Sequence, residues 1–393
     1  MGRKILTATW VLLIASGIYQ IPFLGAPLAL FVILKKILFG MYGGVLYFLK
    51  RSKIWFSWGW PFAAWGLINA LSWLMHDVSG LEIVYRLIQL LWIYGFASFF
   101  ASRRAWDVLE RFPVKYFSLA CFLLVLAVWH PAVREQVLNG FGGNRFGFSI
   151  WLSQFVFIVF LVAQRREGNW FVFALTCAAP IILLQVLSGG RTGLLASSLL
   201  VLYFCRESEQ RNYPLSIAYL LLIAVFGTWY GAVVGVDSMQ SIYRLTPQLG
   251  DDYIFMNSEF LSFLDRFLSY RLSIIVTAFS GFDLWDVIVG KGVGNFHGVM
   301  LSEAAEVHNI YLRALGELGL VGFVALLSIF AVPFAFRGGS PEVRSSKVFM
   351  AIFLLVGASH SDILLTGIST CMVFWICYAE VMWHRSGLRG RLG

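Results

Sequence analysis

An all-α fold, a polytopic membrane bundle of about twelve transmembrane helices with one large helical loop outside it, is what this chain predicts. Three observations carry that expectation. Hydrophobic residues make up 59% of the chain and charged residues only 13%, at a mean hydropathy of +0.77, too little charge for a water-facing surface. Apolar stretches recur along all 393 residues, and roughly 20 residues suffice to cross a hydrocarbon core of about 30 Å. The basic residues, in a chain of formal net charge +9, stand in short runs between those stretches, as orientation signals do, so the charge does not point to nucleic acid.

The elements follow in order. Ile5 to Phe23 comes behind Arg3 and Lys4 as a signal peptide would, but it lacks a small-residue cleavage site and many spans follow, so it reads as a retained first helix. Leu28 to Leu49, Ile54 to Met75, Leu81 to Ala101, Val114 to His130 and Phe146 to Val162 are the next five spans. Trp170 to Leu187 and Thr192 to Cys205 form a tight pair, and Leu215 to Val234 is the ninth. Asn309 to Phe336, Val348 to Leu364 and Gly367 to Trp383 complete the set. With twelve crossings and the N-terminus inside, the basic runs all fall on the cytoplasmic side, from Lys50, Arg51 and Lys53 to Arg385, Arg389 and Arg391, and both termini are cytoplasmic. Cys121, Cys177, Cys205, Cys371 and Cys377 form no CxxC and no cluster, so neither a disulfide framework nor a thiolate metal site is indicated.

One integral membrane domain results, with spans over 1–234, a loop over 235–307 and further spans over 308–393. The loop carries nine acids against four bases. Ser258 to Ser280 has the apolar spacing of an amphipathic helix lying over the mouth of the bundle, and Gly281 stops it. VIVGKGVGNF, with Gly290, Lys291, Gly292 and Gly294, follows; it reads as a flexible return to the membrane rather than an anion-binding nest.

Polar residues in and near the spans are the candidates for chemistry. The turn SGGRTG joins two legs of about 18 residues, roughly 27 Å each, so Arg191 is held at or just below the interface, where it either snorkels or meets an anion. Gly189 and Gly190 leave backbone N–H groups uncovered beside it, and Thr192 can cap the next helix. Arg266 and Arg271 point about 140° apart on the loop helix, so one of them at most faces a given ligand. Arg266 has Asp265 beside it, whereas Arg271 falls on the apolar stripe with no acid within a turn.

EVHNIYLRALGELGLVGF places His308 at the N-cap of a helix from Asn309, with Leu312, Leu315, Gly319 and Gly322 on one stripe that lets another span pack closely. A neutral histidine there can act as a general base; a purely structural histidine is the plainer alternative. Arg313 and Glu317, spaced i,i+4, neutralise one another inside the bundle. Lys35 and Lys36, Glu82 with Arg86, and His360 with Asp362 are the other ionisable residues within spans.

SGGRTGLLA, then YRLSIIVTAF leading into VGKGVGNF, then HNIYLRALGELGLVG resemble, in that order, the O-antigen ligase and polymerase superfamily of bacterial membrane glycosyltransferases. The last is similar to the family's pattern of His-Asn, nine residues and Gly-x-x-Gly, here His308, Asn309, Gly319 and Gly322. By motif the likeness covers Ser188 to Phe323, and by topology the whole chain. It implies an inner-membrane enzyme, without metal or cofactor, that moves a glycan from undecaprenyl diphosphate to an acceptor hydroxyl at the periplasmic face, with inversion at the anomeric carbon. The large loop would then be periplasmic. Arg191 and Arg271 match the arginines that hold the diphosphate, and His308 the base that activates the acceptor. Asn309, Arg266, Arg313, Lys291, His360 and Asp362 form a wider set of substrate-binding candidates. The acceptor implied is lipid A-core for a ligase, which the ungapped histidine motif favours, or the growing polysaccharide for a polymerase. A lipid-linked oligosaccharide flippase is the more distant alternative, which would more naturally show paired repeats and broken helices near the midplane.

Overall fold

The computed structural model describes residues 3–15, 37–38, 41–46, 48, 59–76, 80–101, 106–138, 145–165, 168–208, 213–234, 271–300, 303–306, 309–337, 339–357 and 371–385. Its first half comprises α1 (Arg3–Ala15), α2 (Trp60–Met75), α3 (Gly80–Ala101), α4 (Trp106–Glu110), α5 (Val114–Ala127), α6 (Pro131–Leu138), α7 (Arg145–Ala163) and α8 (Trp170–Ser188). Then come α9 (Arg191–Glu207), α10 (Tyr213–Val233), α11 (Arg271–Phe279) and α12 (Leu284–Val289), followed by α13 (Ile310–Ala335), α14 (Pro341–Gly357) and α15 (Met372–Arg385). Between α12 and α13 lies an antiparallel pair, β1 (His297–Met300) and β2 (Glu303–Glu306), with His297 opposite Glu306. Among the described residues, α8, α10 and α13 are long and apolar enough to cross a membrane; Ile5–Ile14, Arg86–Ala101, Val114–Ala127 and Gly147–Ala163 are shorter apolar helices.

The predicted spans with both ends described coincide with helices within a few residues, while most of 28–49 and residues 258–270 of the expected loop helix lie outside the described residues. The largest displacement is α14, which begins at Pro341 rather than Val348. Proline is favourable in a first helical turn, and the hydroxyl of Ser340 accepts a hydrogen bond from Val343 N–H at 3.4 Å, so the polar PEVRSSK run is helical. The short α4, α6 and α12 and the hairpin fall below the length that an 18-residue apolar signal reveals. α12 has its own local cause: Asp283 accepts from Asp286 N–H at 2.7 Å while Asp286 takes Asp283 N–H at 3.3 Å, a reciprocal capping box.

α7 is the hub. It is apolar all round, as a helix surrounded by others is, and is buried along almost its whole length. Trp151 and Phe155 meet Phe117 of α5, while Phe157 and Phe160 meet Phe204 of α9 and Phe157 also meets Phe349 of α14. Polar bonds fasten the ends. Glu380 of α15, fully buried, accepts Trp106 N–H at 3.0 Å and pairs with His384 at 3.2 Å, which ties the short α4 beneath the bundle. All five cysteines are buried and free.

Candidate functional site

The turn that carries Arg191 is built by α7 and α8. Gly189 has a left-handed φ of 68°, and its N–H bonds to Val186 O at 3.0 Å while that of Gly190 bonds to Gln185 O at 3.3 Å. The two glycine N–H groups expected to be uncovered are therefore taken up by the last carbonyls of α8. Thr192 does not cap α9 either: the N-cap is Gly190 without a side-chain bond, and Thr192 lies in the first turn. The turn is held from below, because Gln185 Nε2 donates to Ser149 O at 2.7 Å and Ser149 Oγ to Gly190 O at 2.8 Å. Gly193 lets α9 lie directly on the Ser149 backbone, where a Cβ would collide. Arg191, half-buried, opens α9.

α14 establishes which helix ends lie together. Tyr203 and Glu207, late in α9, meet Ser345 at 3.1 Å and Arg344 at 3.6 Å, early in α14, so the two helices run antiparallel. Arg191 thus lies about 18 Å back from Tyr203, toward the C-terminal end of α14. At that same end Tyr311 Oη donates to Leu354 O at 2.7 Å. Arg191 and the start of α13 therefore open on one face of the bundle.

The start of α13 differs from expectation in its cap. Asn309, not His308, is the N-cap: its Oδ1 accepts from both Tyr311 N–H and Leu312 N–H at 3.0 Å, a role a short side-chain carbonyl fills well. Nearly three turns on, the helix is broken. Gly319 has φ 65° and ψ −168°, a conformation reserved for glycine. The glycine loop docks against the break: Lys291 N–H bonds to Gly316 O at 2.9 Å and Gly292 N–H to Glu317 O at 3.0 Å. Gly290 and Gly319 have no room for a Cβ, the former against Glu317 and the latter against the Ile288 carbonyl. Val293 N–H reaches Ser72 of α2 at 3.2 Å. The stretch read as a flexible return is thus bound by its backbone on two sides. Of the two glycines read as a seat for another span, Gly319 receives this loop, with the Phe296 ring over neighbouring Gly316, whereas Gly322 lies against Leu318 of its own helix.

Beneath the loop lies an ionic cluster. Glu317, 2% exposed, pairs with Arg313 Nε at 2.9 Å, as expected, and with Arg86 Nη1 of α3 at 2.6 Å. It also accepts Gly294 N–H at 3.2 Å. Lys291 turns its ammonium to Gly281 O at 3.1 Å and lies 4.7 Å from the Phe282 ring centre, with Asp286 at 3.9 Å. α11, whose end before Gly281 was expected, packs Ile274 and Ala278 on Phe296, with Leu312 of α13 beside them.

Arg271 opens α11, and its side chain, like that of Glu82, lies outside the described atoms. His308, Arg266, His360, Asp362, Lys35 and Lys36 lie outside the described residues. A cleft of about 660 Å³ between α5, α8 and α10, walled by Phe122, Phe173, Pro180 and Phe226, is apolar apart from its rim at Lys115, Ser118 and Thr176 and holds none of the candidates. Sequence reasoning missed Arg86 as a partner of Glu317 and Phe296 as the seat of α11. The signal available was the presence of two glycine-rich runs, each able to accept another backbone at close range. Compared with models of protein families and with curated proteins, the chain finds no match.

Proposed function

We propose that the protein is a membrane glycosyltransferase that moves a glycan from undecaprenyl diphosphate to an acceptor hydroxyl at the periplasmic face of the bacterial inner membrane, an O-antigen ligase acting on lipid A-core. The reading includes twelve crossings, cytoplasmic termini and a periplasmic 235–307 loop. One observation supports it most: the glycine loop, docked on the break at Gly319, joins the helix that opens with Arg271 to the helix that opens at Asn309, on the face where α9 opens with Arg191.

In the proposed reaction the acceptor oxygen attacks the anomeric carbon from the side opposite the diphosphate. The new C–O bond forms as the bond to the phosphate oxygen breaks with its electron pair, and the configuration inverts. His308 takes the acceptor proton. Arg191 and Arg271 meet the charge growing on the diphosphate through charge-assisted hydrogen bonds, which a guanidinium fork suits. A positioned base contributes about 10²- to 10⁴-fold, so alignment of donor and acceptor has to supply much of the rest.

A broken helix is also a transporter feature, where freed carbonyls line a cavity and hold an ion. In α13 the carbonyls of Gly316 and Glu317 are bonded to the loop, which favours a structural break and the transferase reading. The test supplies the purified protein with an undecaprenyl diphosphate-linked glycan, with and without lipid A-core, and separates products on a gel. Lipid A-core shifted in mass supports the ligase; a ladder without lipid A-core makes the protein a polymerase joining repeat units. No product, together with movement of the lipid across a bilayer, replaces the enzyme with a flippase. Transfer undiminished in His308→Ala would remove His308 as the base.

A further inference from the structure

We propose that Glu317 is a positioning residue of this transferase, whose buried carboxylate sets the spacing between α11, opened by Arg271, and the end of α13 that begins at Asn309. The inference rests on the glycosyltransferase reading and adds a role to a residue outside its reacting groups.

The carboxylate lies about 12 Å along α13 from Asn309, too deep to meet substrate at the helix start. It gathers three partners from three places in the chain: Arg86 Nη1 of α3 at 2.6 Å, Arg313 Nε of α13 at 2.9 Å and Gly294 N–H of the glycine loop at 3.2 Å. Two residues beyond Gly294, the ring of Phe296 covers Gly316 and packs against Ile274 and Ala278 of α11. A continuous chain of contacts therefore leads from the carboxylate through the loop and one aromatic ring to the helix that opens with Arg271. Removing the negative charge leaves two guanidinium groups converging on one buried point, and their repulsion there is stronger than it would be in water. The loop, whose amide loses its charged acceptor, gives way first and α11 moves with it. Group transfer between two bound substrates is sensitive to such movement, since a misplacement of about 1 Å can cost about 10²-fold.

The test measures position and rate separately in the full-length protein. Spin labels at Val276→Cys on α11 and Val324→Cys on α13 occupy exposed sites, while the five native cysteines are buried, so labelling is selective. In the unsubstituted background a single narrow distance is expected by pulsed dipolar spectroscopy. Glu317→Gln should broaden and shift that distance and lower kcat about 10²-fold with donor KM little changed. Glu317→Asp, which keeps the charge, should recover part of both. Phe296→Ala, which cuts the same chain of contacts without touching a charge, should reproduce the Gln phenotype and serves if the Gln variant fails to fold. An unchanged distance in Glu317→Gln and Phe296→Ala overturns the proposal, as does a rise in donor KM at constant kcat. If the unsubstituted protein transfers no glycan, the transferase reading falls, and the label distances alone decide whether Glu317 holds α11 to α13.

Discussion

Replacing Gly319 by alanine should undock the glycine loop. The backbone there has φ 65° and ψ −168°, where a side chain costs about 1–3 kcal/mol before any contact is counted. The added Cβ would also meet the Ile288 carbonyl, which can retreat only if the end of α12 moves. Such a move loosens the bonds from Lys291 N–H to Gly316 O (2.9 Å) and from Gly292 N–H to Glu317 O (3.0 Å). At about 1.4 kcal/mol per factor of ten, the backbone cost alone lowers the ratio of docked to undocked loop by about 5- to 150-fold. Hydrogen exchange followed by mass spectrometry on the peptide holding Lys291 and Gly292 reads this directly, because amides protected by local structure exchange through its opening. Gly339→Ala, where a Cβ meets nothing within 4 Å, is the control and should leave that peptide unchanged. Equal exchange in the two variants would refute the reasoning, since it would mean that the break in α13 does not depend on glycine.

Four further outcomes are expected. Asn309→Ala should lower stability by about 0.5–2 kcal/mol, with Asn309→Asp close to the parent, measured by thermal unfolding in detergent. Ser149→Ala removes the 2.8 Å bond to Gly190 O and should lower stability by about 0.5–1.5 kcal/mol in the same unfolding measurement. Glu380→Ala leaves Trp106 N–H without its buried acceptor and should cost about 1–3 kcal/mol, seen as a drop in the unfolding temperature. Glu207→Ala breaks a pair in which Arg344 is 56% exposed, and the same measurement should change by less than about 1 kcal/mol.

Much of the helical framework was legible in the sequence because apolar length is a strong signal: α3, α5, α7, α8, α9, α10 and α13 begin and end close to the apolar runs that predict them. The start of α14 was hidden because five of its first seven residues are polar, and it reveals itself only through Ser340 and Pro341. The neutralising pair of Arg313 and Glu317 followed from spacing alone, being local. Arg86 did not, since nothing in a one-dimensional pattern says that a side chain of α3 reaches Glu317 of α13. The glycines of Gly-x-x-Gly were read as a helix–helix seat because small residues at helical spacing serve that end in membranes. The neighbour of Gly319 is a loop and that of Gly322 is Leu318 of its own helix, and the positive φ that makes Gly319 indispensable leaves no trace in composition.

The backbone seam between the glycine loop and the break in α13 bears on how this protein can be re-engineered. Contacts made by main-chain atoms admit no compensating side-chain change, so neither half of the seam can be redesigned while the other is kept. A chimera that joins the α11 to β2 stretch of one homologue to the α13 of another would need both parents to bend at the same residue. Residues 271–322 hold both halves of the seam, and a transplant of them would also have to keep Ser72 and Arg86, which meet Val293 and Glu317 from outside that stretch.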